Sequence, residues 1–570
     1  MNWHDDILFQ KGNNNEIIFL TVKLATMPRL SKSKLLAFRQ CERRLWLELH
    51  RPGLRQDDDA SLAAFSAGHQ VGDLARQLYD PDRYGVLLDP IGDGIEATLA
   101  RSRSLLATAQ PVFEAGFEAG GALAFADILL PVDPDARRWR MVEVKSTTRL
   151  KDYHREDAAI QAFAARAAGV ALDRIALARI DRTWVYPGNG QYRGLLVEED
   201  LSADAFGRHG EVASWIARAQ EVGALKDEPD VRPGEHCDSP HACGFKAHCN
   251  AATPAAEFPV SWLPRRTGRA LKQCIGEGAS DMRDVPDELL NDTQLRVKRH
   301  TLSGAIYFDA GAAAADLAPY PPPACFIDFE TIAFAVPAWA GTRPFQMVPF
   351  QFSVHRLDAA GKLAHRDFLD LSGDDPSRPF AEALVEACQG PGPVFVYNAA
   401  FETARIAELA ARFADLAPAL LAIKERVVDL LPVARERYYH PGQQGSWSIK
   451  RVLPAIAPDL RYDALDGVQD GGAAMHAFLE AIAPDTDPAR KGQIERQLRD
   501  YCHLDTLAMV RLWEFFSGRE GPCGLERRIL QNDELVQTIL ASAQDLGEPM
   551  SAEEFIARLG QVEGEASPGD

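Results

Sequence analysis

Cysteine is scarce in this chain, with 9 among 570 residues. That density is too low for a scaffold built on disulfides, which crowds many cysteines into a short secreted chain. Long apolar runs are also missing, since none approaches the ~20 residues of a membrane-spanning helix. The first residues, MNWHDDILFQ, lack the basic start and the apolar core of a secretory signal peptide. We therefore expect a cytoplasmic protein without a membrane partner.

Net positive charge is missing as well, because 62 lysines and arginines face 82 aspartates and glutamates and leave a net charge of -20. An acidic chain is a poor candidate for coating nucleic acid non-specifically. It does not exclude a nuclease, since metal-binding carboxylates are acidic and basic clefts are local. One early stretch, SKSKLLAFRQCERRLWLELHRPGLR, is distinctly basic. Most of it has the apolar spacing of one amphipathic helix that begins after a Ser31 or Ser33 cap.

Length and pattern predict more than one domain of the α/β class. At roughly 100–200 residues per domain, the chain is long enough for two or more. Helical and strand patterns alternate on both sides of a Pro-rich segment, and no internal repeat is visible. We predict a disordered or over-extended start (1–26), a first domain (27–252), a helical and Pro-rich linker region (253–322), a second domain (323–518), and a helical extension with a disordered acidic tail (519–570).

A first group of candidate site residues follows two predicted strands, ALAFADILLPVD and RWRMVEVKS, joined by the turn-rich DPDA. Glu143 and Lys145 are two apart in the second strand and share a face, and in a hairpin Asp127 of the first strand lies beside them. Two carboxylates can hold a divalent metal, and the lysine can orient water or offset charge at phosphorus. The alternative is an exposed strand face, since Glu-x-Lys is frequent by chance.

This stretch resembles the PD-(D/E)XK nuclease superfamily, in its RecB-like branch. In that branch a glutamine helix follows the lysine strand, and Gln161 in AAIQAF matches it. The aromatic residue expected four positions later is replaced by Ala165, and the upstream Gly-x-x-x-His pattern ends in Gly72. His69 and Glu114 are candidate substitutes for the missing histidine. The resemblance implies a nuclease that uses Mg²⁺ or Mn²⁺.

A second group lies in HCDSPHACGFKAHC, where three cysteines stand at even intervals: Cys237, Cys243 and Cys249. A tetrahedral metal or an iron–sulfur cluster normally takes four ligands, so one ligand is missing from this set. Three histidines lie in the same motif: His236, His241 and His248. Any one of them would complete a Cys₃His zinc site without a distant partner. Three unliganded thiols in a loop are the remaining alternative.

The fourth ligand is implied by a further resemblance. RecB-like nucleases of the AddB type and those of CRISPR adaptation carry one cysteine before the nuclease core and three after it, and together these hold a four-iron (4Fe-4S) cluster. This layout implies Cys41, in FRQCERRLWL, as the partner of the three later cysteines. The other cysteines are expected to be buried apolar side chains: Cys274, Cys325, Cys388, Cys502 and Cys523.

A third group is spread over the second domain. Asp328 and Glu330 share a face of the apolar strand CFIDFETI, Glu402 follows in a strand-to-helix stretch, and Tyr501 and Asp505 are four apart in a helix. In two-metal hydrolysis one ion activates water and the other stabilises the leaving oxygen. The tyrosine can position or deprotonate that water. Each piece is ordinary alone, but their order and spacing together are not.

This half resembles the DEDD exonucleases of the ribonuclease H-like fold, in the subgroup with tyrosine in the last motif. Glu402 stands where that family has aspartate, and Asp429, in RVVDLLPVA, is a candidate neighbour rather than a ligand. YYHPGQQGSWSIKRVLPAI is similar to a bacterial family that combines both nuclease-like modules, so the resemblance covers roughly residues 30–515. Its aromatic and basic side chains either clamp a single strand or form a packing edge: Tyr438, Tyr439, His440, Trp447 and Lys450.

The sequence thus predicts an α/β protein with an N-terminal PD-(D/E)XK restriction-endonuclease-like domain, a helical linker and a C-terminal ribonuclease H-like mixed-sheet domain. The resemblance implies a metal-dependent nuclease that hydrolyses DNA rather than RNA, single-stranded or at ends, from 3′ to 5′, in repair or defence. The alternative is a catalytically degenerate nucleic-acid-binding scaffold, in which one or both modules only grip the substrate.

Overall fold

The computed structural model describes residues 29–57, 59–133, 138–251 and 256–519. The predicted start, nearly all of the predicted tail, Cys523 and most of the DPDA turn lie outside these ranges. The described chain divides into two compact units: the first holds the residues up to 251 together with Ala333–Gln346, and the second holds residues 256–332 and 347–519. Within these ranges no helix has both the length and the apolar character needed to cross a membrane.

The first unit is an α/β unit. In chain order its elements are β1 (Leu30–Ser31), α1 (Lys32–Gln40), α2 (Glu42–His50), α3 (Asp59–Tyr79), β2 (Val86–Leu87), α4 (Ile95–Leu105), β3 (Val112–Ala119), β4 (Ala122–Asp133), β5 (Arg138–Lys145), α5 (Asp152–Ala167), β6 (Leu172–Ile180), β7 (Leu196–Asp200), α6 (Ser202–Gly207), α7 (His209–Gly223) and α8 (Lys246–Ala251). Its mixed sheet has the order β2-β3-β4-β5-β6-β7, and β1 pairs with β4.

The hairpin predicted for the first group of candidate residues is present. β4 and β5 pair antiparallel, with Ile128 opposite Val142, and β5 pairs parallel with β6. Helix α5 lies on the sheet, and its alanine-rich face is buried together with Ile160. Both faces of β4 and β5 are covered, since Leu129 and Met141 belong to one buried apolar cluster and Ile128 and Val142 to another. Because side chains alternate along a strand, Glu143 shares the face of Met141.

The basic N-terminal stretch differs from the prediction of one helix. It forms α1 and α2, which are separated at Cys41, whose backbone is extended with φ -164°. The Ser31 hydroxyl caps α1 by accepting from the Lys34 N–H at 3.3 Å. The break lets both short helices bury apolar faces, with Leu35 in α1 and Leu45 in α2. The break also places Cys41 at the N-cap position of α2.

The cations of this stretch are neutralised inside the first unit. Their ion-pair partners are Glu143 and Asp157 for Lys32, Glu48 for Lys34 and Arg44, Glu156 for Arg39, Glu228 for Arg43 and Asp57 for Arg55. The guanidinium of Arg51 lies 6.0 Å from the centre of the Trp46 ring. The stretch is therefore a packed, charge-balanced element and not an exposed cationic surface.

The second unit is also α/β. Its elements are α9 (Arg269–Gly276), α10 (Asp292–Ser303), β8 (Tyr307–Phe308), α11 (Ala310–Leu317), β9 (Ala324–Ala333), β10 (Met347–Leu357), β11 (Leu363–Leu369), α12 (Ser377–Ala387), β12 (Val394–Val396), α13 (Ala400–Arg412), α14 (Ala417–Glu425), β13 (Val427–Asp429), α15 (Leu430–Arg437), β14 (Tyr438–Tyr439), α16 (Ile449–Ile456), α17 (Gly471–Ile482) and α18 (Pro488–Ser517). Its main sheet has the order β11-β10-β9-β12-β13, and β14 pairs with β8.

Strand β9 is the central strand of this sheet. It pairs parallel with β12, and β12 pairs parallel with β13, while β10 and β11 are antiparallel. Alternate residues of β9 enter two apolar clusters, with Phe326 in one and Ile327 and Phe329 in the other. A strand covered on both faces reads as a nearly continuous apolar run. The two acidic residues in that run therefore lie in the central strand, with Glu330 buried and Asp328 half-buried.

The region predicted as a linker belongs to the second unit instead. Val260, Leu263, Leu271, Met282 and Val297 are buried in the same apolar cluster as the residues of α15, β14 and α18. Proline-rich composition suggested a flexible joint, but these side chains have the apolar spacing to join a core. The linker prediction for residues 256–322 is thus replaced by a wall of short helices on the second unit.

Gly445 allows the backbone of this wall to pack closely against the rest of the unit. Its φ is +75°, and a Cβ built there would lie 1.5 Å from the Trp262 carbonyl oxygen. We expect Gly445→Ala to destabilise the second unit by at least about 2 kcal/mol, because left-handed strain and a backbone clash add together. Gly304→Ala is the matched control, since Gly304 has φ +71° and nothing within 4 Å. Denaturant unfolding that gives equal losses for both variants contradicts this role.

Candidate metal centres

Three predicted acidic residues meet in the second unit. Asp328 and Glu330 extend from one face of β9, and Asp505 extends from α18. They bring one carboxylate oxygen each to within 4.8 Å of the others, and in the described part of the chain no other group of histidine, cysteine or acidic side chains does so with three or more ligand atoms. The strand residues Asp328 and Glu330 and the helix residue Asp505 therefore lie together, as their spacing in the sequence predicted.

The fourth predicted carboxylate, Glu402, lies in the first turn of α13 and is 3% exposed. Its Oε2 is buried without a hydrogen-bond partner in the described structure. Its negative charge raises the pKa of both Asp328 and Glu330, so it faces the same centre. A buried carboxylate oxygen without a partner is costly, and a bound cation is one of the few ways to offset that cost.

Burial perturbs all four acids. Burial, with Asp505, Glu330 and Glu402 nearby, holds the pKa of Asp328 well above its usual range. Burial raises the pKa of Glu330 and of Glu402 to about 8 each, and that of Asp505 to about 6. Lys450 lowers the pKa of Asp328, Glu330 and Asp505 but does not return any of them to its usual range. An oxygen-only donor set with surplus negative charge fits Mg²⁺ or Mn²⁺.

Aromatic side chains close one side of this centre. The Tyr462 hydroxyl donates to Asp505 at 2.5 Å, and Tyr501 also hydrogen-bonds Asp505. The Lys450 ammonium lies 5.0 Å from the Tyr462 ring centre and 4.9 Å from that of Tyr501, and it donates to the Gln469 carbonyl at 2.6 Å. Burial holds the pKa of Tyr501 far above its usual range, so this phenol is suited to positioning water rather than deprotonating it.

Asp429 holds the turn that precedes Glu402. Its carboxylate accepts from the N–H groups of Asn398 at 2.9 Å and Ala399 at 3.1 Å, and also from Leu431 at 2.9 Å. Asn398 has φ +78°, an uncommon conformation that these bonds maintain. Asp429 therefore lies next to the carboxylate centre and acts on the backbone, which is the neighbour position expected for it.

The aromatic stretch between the motifs is a packing edge. Tyr438, Tyr439 and Trp447 are 2%, 0% and 7% exposed. The Trp447 indole donates to the Tyr438 carbonyl at 2.9 Å, and the Tyr439 hydroxyl lies 2.7 Å from the Thr301 hydroxyl. Buried rings are not available to stack on bases, so the strand-clamp interpretation is wrong for these three residues.

The N-terminal group also comes together, but as an ion-paired network. The Glu143 carboxylate accepts from Lys32 at 2.9 Å, from Lys145 and from Gln161. Asp157 accepts from the same three side chains, at 3.1 Å from Lys32 and at 2.9 Å from each of the other two. Lys32 and Asp157 belong to no motif that the sequence revealed. They lie in the first turn of α1 and one turn before Gln161 in α5.

Asp127 lies beside this network. It accepts from the Val144 N–H at 2.7 Å, and burial together with Glu143 raises its pKa to about 7. Glu114, with φ +57° in β3, has its pKa raised by burial and by Glu143. His69 is exposed and lowers the pKa of Glu114. Of the two candidate substitutes for the missing histidine, Glu114 is therefore the one near Glu143.

The two centres differ in how their negative charge is balanced. In the first unit two ammonium groups occupy the oxygens of Glu143 and Asp157, and the described acids there do not bring three ligand atoms within 4.8 Å. In the second unit Lys450 lowers the pKa of Asp328, Glu330 and Asp505, and Arg405 lowers that of Glu402, but all four stay above their usual range. The donor set in the second unit therefore fits a divalent ion, and the one in the first unit does not fit it in this arrangement.

Asp157 makes the N-terminal network sensitive to a single change. We expect Asp157→Ala to destabilise the first unit by about 3 kcal/mol, because it leaves two lysine ammonium groups partly buried beside one remaining partner. Asp173→Ala is the control, since Asp173 forms a half-exposed pair with Arg138 at 3.1 Å and such pairs contribute about 1 kcal/mol or less. Thermal unfolding that ranks the control above Asp157→Ala contradicts this expectation.

The four cysteines singled out in the sequence line one small cavity of the first unit: Cys41, Cys237, Cys243 and Cys249. Cys41 stands at the N-terminus of α2, where burial raises its pKa and the N–H groups of Arg43 and Arg44 lower it. Gln40, the preceding residue, donates to the carbonyls of His236 at 2.7 Å and His241 at 2.8 Å. Hydrogen bonds from the Gln40 side chain to backbone carbonyls thus hold together residues that are far apart in the sequence.

The four sulfurs are not grouped as tightly as one zinc ion would hold them. A tetrahedral zinc with bonds of about 2.3 Å would hold its sulfurs about 3.8 Å apart. No three of these four described sulfurs lie within 4.8 Å of one another, whereas a cluster that binds each cysteine through a different iron spreads them further. His248 contacts Glu228 at 3.2 Å and His241 packs on Tyr153, so His236 is the histidine that lines the cavity.

The remaining cysteines are placed mostly as expected. Cys325, Cys388 and Cys502 are buried, and Cys274 is half-buried.

The described chain is thus an α/β protein of two units, with a carboxylate centre in one and a cysteine-lined cavity in the other. A family model described as "Domain of unknown function (DUF2779)" matches residues 325–448. This region includes β9 and α13, and so three of the four converging carboxylates. No curated protein and no solved structure matches the chain.

Proposed function

We propose that this protein is a metal-dependent nuclease whose catalytic centre is Asp328, Glu330, Glu402 and Asp505. The observation that carries the proposal is the convergence of Asp328, Glu330 and Asp505 within 4.8 Å, together with the nearby buried Glu402, whose Oε2 has no hydrogen-bond partner in the described structure. The order of these residues and the accompanying tyrosine favour a DEDD-type exonuclease on a ribonuclease H-like domain. By the same resemblance the substrate is DNA rather than RNA, degraded from 3′ to 5′ in repair or defence.

The four carboxylates would hold Mg²⁺ or Mn²⁺, ions that when bound activate water and stabilise a leaving oxygen. Tyr501, protonated and donating its single O–H to Asp505, can orient the attacking water by accepting a hydrogen bond from it. Tyr462 holds Asp505 in one orientation. Asp429 fixes the turn before α13 and so the position of Glu402.

For the first unit we propose a RecB-like, PD-(D/E)XK-type domain that grips the substrate and does not cut it in the ion-paired arrangement. The neutralised Glu143 carboxylate supports this second candidate function. We further propose that its four cysteines hold a 4Fe-4S cluster with a structural role. The sulfur separations favour that cofactor over zinc.

The test is hydrolysis of end-labelled single-stranded DNA by the full chain with added Mg²⁺ or Mn²⁺. We expect products that shorten from the 3′ end, and their complete loss when a chelator removes the divalent ion. RNA and duplex DNA run in parallel determine the preferred substrate. Absence of cleavage of every substrate under either metal rejects the nuclease and leaves the binding scaffold.

A further inference from the structure

A groove of about 750 Å³ opens in the second unit. Asn398 lines it four residues before Glu402, and Ile449 lines it one residue before Lys450. Both chain segments therefore lead directly from the groove to side chains that form the centre. The volume is that of a site for a sizeable ligand, with room for a few nucleotides.

One wall of this groove lies outside the region that the family model matches. It consists of Pro264 and Arg265 and of the start of α10. The Gln294 side chain donates to the Pro264 carbonyl at 2.9 Å, and the neighbouring Trp262 backbone is held against Gly445. The wall is therefore a fixed part of the second unit.

Arg265 is an unbalanced cation on that wall. It is exposed, and within the described chain its guanidinium forms no ion pair or hydrogen bond. This differs from the N-terminal basic stretch, whose cations are nearly all paired. The second arginine of the groove, Arg435, is already hydrogen-bonded to Glu436 at 3.2 Å, and the other acid, Asp292, lies at a helix N-terminus that stabilises negative charge.

The lining combines three chemistries. Leu431, Ile449 and the ring of Tyr397 supply apolar surface, Asn291 and Ser448 supply amide and hydroxyl groups, and the arginines supply positive charge. Apolar surface, hydrogen-bonding groups and positive charge are what the base, sugar and phosphate of a nucleotide require. A space of about 750 Å³ is about 9 Å on a side, whereas a duplex is wider than its own major groove of about 12 Å and is too large to enter it.

We propose that this groove binds one polynucleotide strand and leads its end to the carboxylate centre, with Arg265 contacting a phosphate. This inference rests on the proposed nuclease function and names the form of its substrate. The wall of residues 256–303 thereby selects single strands.

The test is fluorescence anisotropy of a labelled single-stranded DNA oligonucleotide with the full chain in a chelator, so that binding is measured without hydrolysis. We expect Arg265→Glu to weaken binding about tenfold or more and to reduce the slope of log K against log salt by about 1, since one phosphate contact is lost. Arg299→Glu is the matched control, because Arg299 is exposed on α10, lies 3.9 Å from Asp287 and does not line the groove. Its binding should stay within twofold of the unmodified protein.

A second variant, Ser448→Trp, fills the groove at an exposed position whose side chain makes no capping hydrogen bond. We expect it to weaken single-strand binding as well. Unchanged binding in both groove variants, or equal losses in Arg265→Glu and Arg299→Glu, overturns the groove even if the chain cleaves DNA. Duplex DNA that competes as well as single strands overturns the strand selectivity. Weaker binding in Arg265→Glu, with unchanged binding in Arg299→Glu, supports the groove even if the chain cleaves no DNA with either metal. In that case only the nuclease proposal falls.

Discussion

Asp328→Asn is expected to reduce metal-dependent DNA hydrolysis by at least about a thousandfold. The substitution keeps the size of the side chain but removes a charged ligand from the middle of the group formed with Glu330 and Asp505. Metal ions contribute several kcal/mol to hydrolysis, and about 4 kcal/mol corresponds to a thousandfold in rate. Single-turnover cleavage of labelled single-stranded DNA in Mn²⁺ measures the loss.

Lys145→Ala is the control that assigns activity to one unit. Lys145 pairs with Glu143 and Asp157 in the first unit, where the carboxylates are already neutralised. We expect this variant to keep most of the hydrolysis. The reverse result, with activity lost in Lys145→Ala and kept in Asp328→Asn, moves the catalytic centre to the first unit and contradicts the proposal.

Asp328→Asn also has an expected effect on stability, and this effect separates a lost metal ligand from a damaged fold. Without metal, Asp328 adds to the mutual repulsion of the four acids, so its replacement by asparagine should leave the melting temperature unchanged or raise it. With metal, the unmodified protein should gain stability by mass action, about 2.7 kcal/mol at a hundredfold excess over Kd, and the variant should gain less. A variant that unfolds in the absence of metal leaves the loss of activity without this explanation and counts against it.

The parts of the site that the sequence predicted depend on short-range periodicity. Asp328 and Glu330 share a strand face, and Tyr501 and Asp505 share a helix face, whatever surrounds them. The strand-then-helix pattern around Glu402 placed that residue at the start of α13. Such spacings survive folding because they are properties of the local backbone.

The parts that the sequence did not predict depend on packing between distant segments. Lys32 meets Glu143 across 111 positions, and Tyr462 meets Asp505 across 43. No local pattern marks these partners. The basic stretch is a further example, because Glu156 and Glu228, the partners of its Arg39 and Arg43, come from distant parts of the chain.

The linker prediction failed for a related reason. The sequence predicted a helical and Pro-rich linker region for residues 253–322, and the described residues 256–322 do hold short helices together with strand β8. Irregular backbone is not the same as an independent segment, since Val260, Leu263 and Met282 are buried with the rest of the second unit. Burial of spaced apolar residues, rather than regularity of the backbone, decides which unit a segment joins.

Cys41→Ser is expected to remove the cofactor and with it the stability of the first unit. Protein purified without oxygen should be brown and contain iron and sulfide, and the variant should be colourless and lose both. Metal binding and folding are coupled, because the ligands come together only in the folded chain. Here the coupling joins the junction of α1 and α2 to the segment around Cys237, so a lost cluster should lower the melting temperature of that unit.

Cys274→Ser is the matched control for this change. Cys274 is a half-buried thiol in α9 of the second unit and does not line the cavity, so its variant should keep colour, iron and stability. Zinc in place of iron, in colourless protein, would support the Cys₃His alternative with His236, and Cys41→Ser should then retain its metal. Loss of zinc in Cys41→Ser would instead mean four thiolates around one ion, which the sulfur separations oppose because a tetrahedral site would need all of them about 3.8 Å apart. Iron content and its dependence on Cys41 therefore distinguish three arrangements of the same side chains.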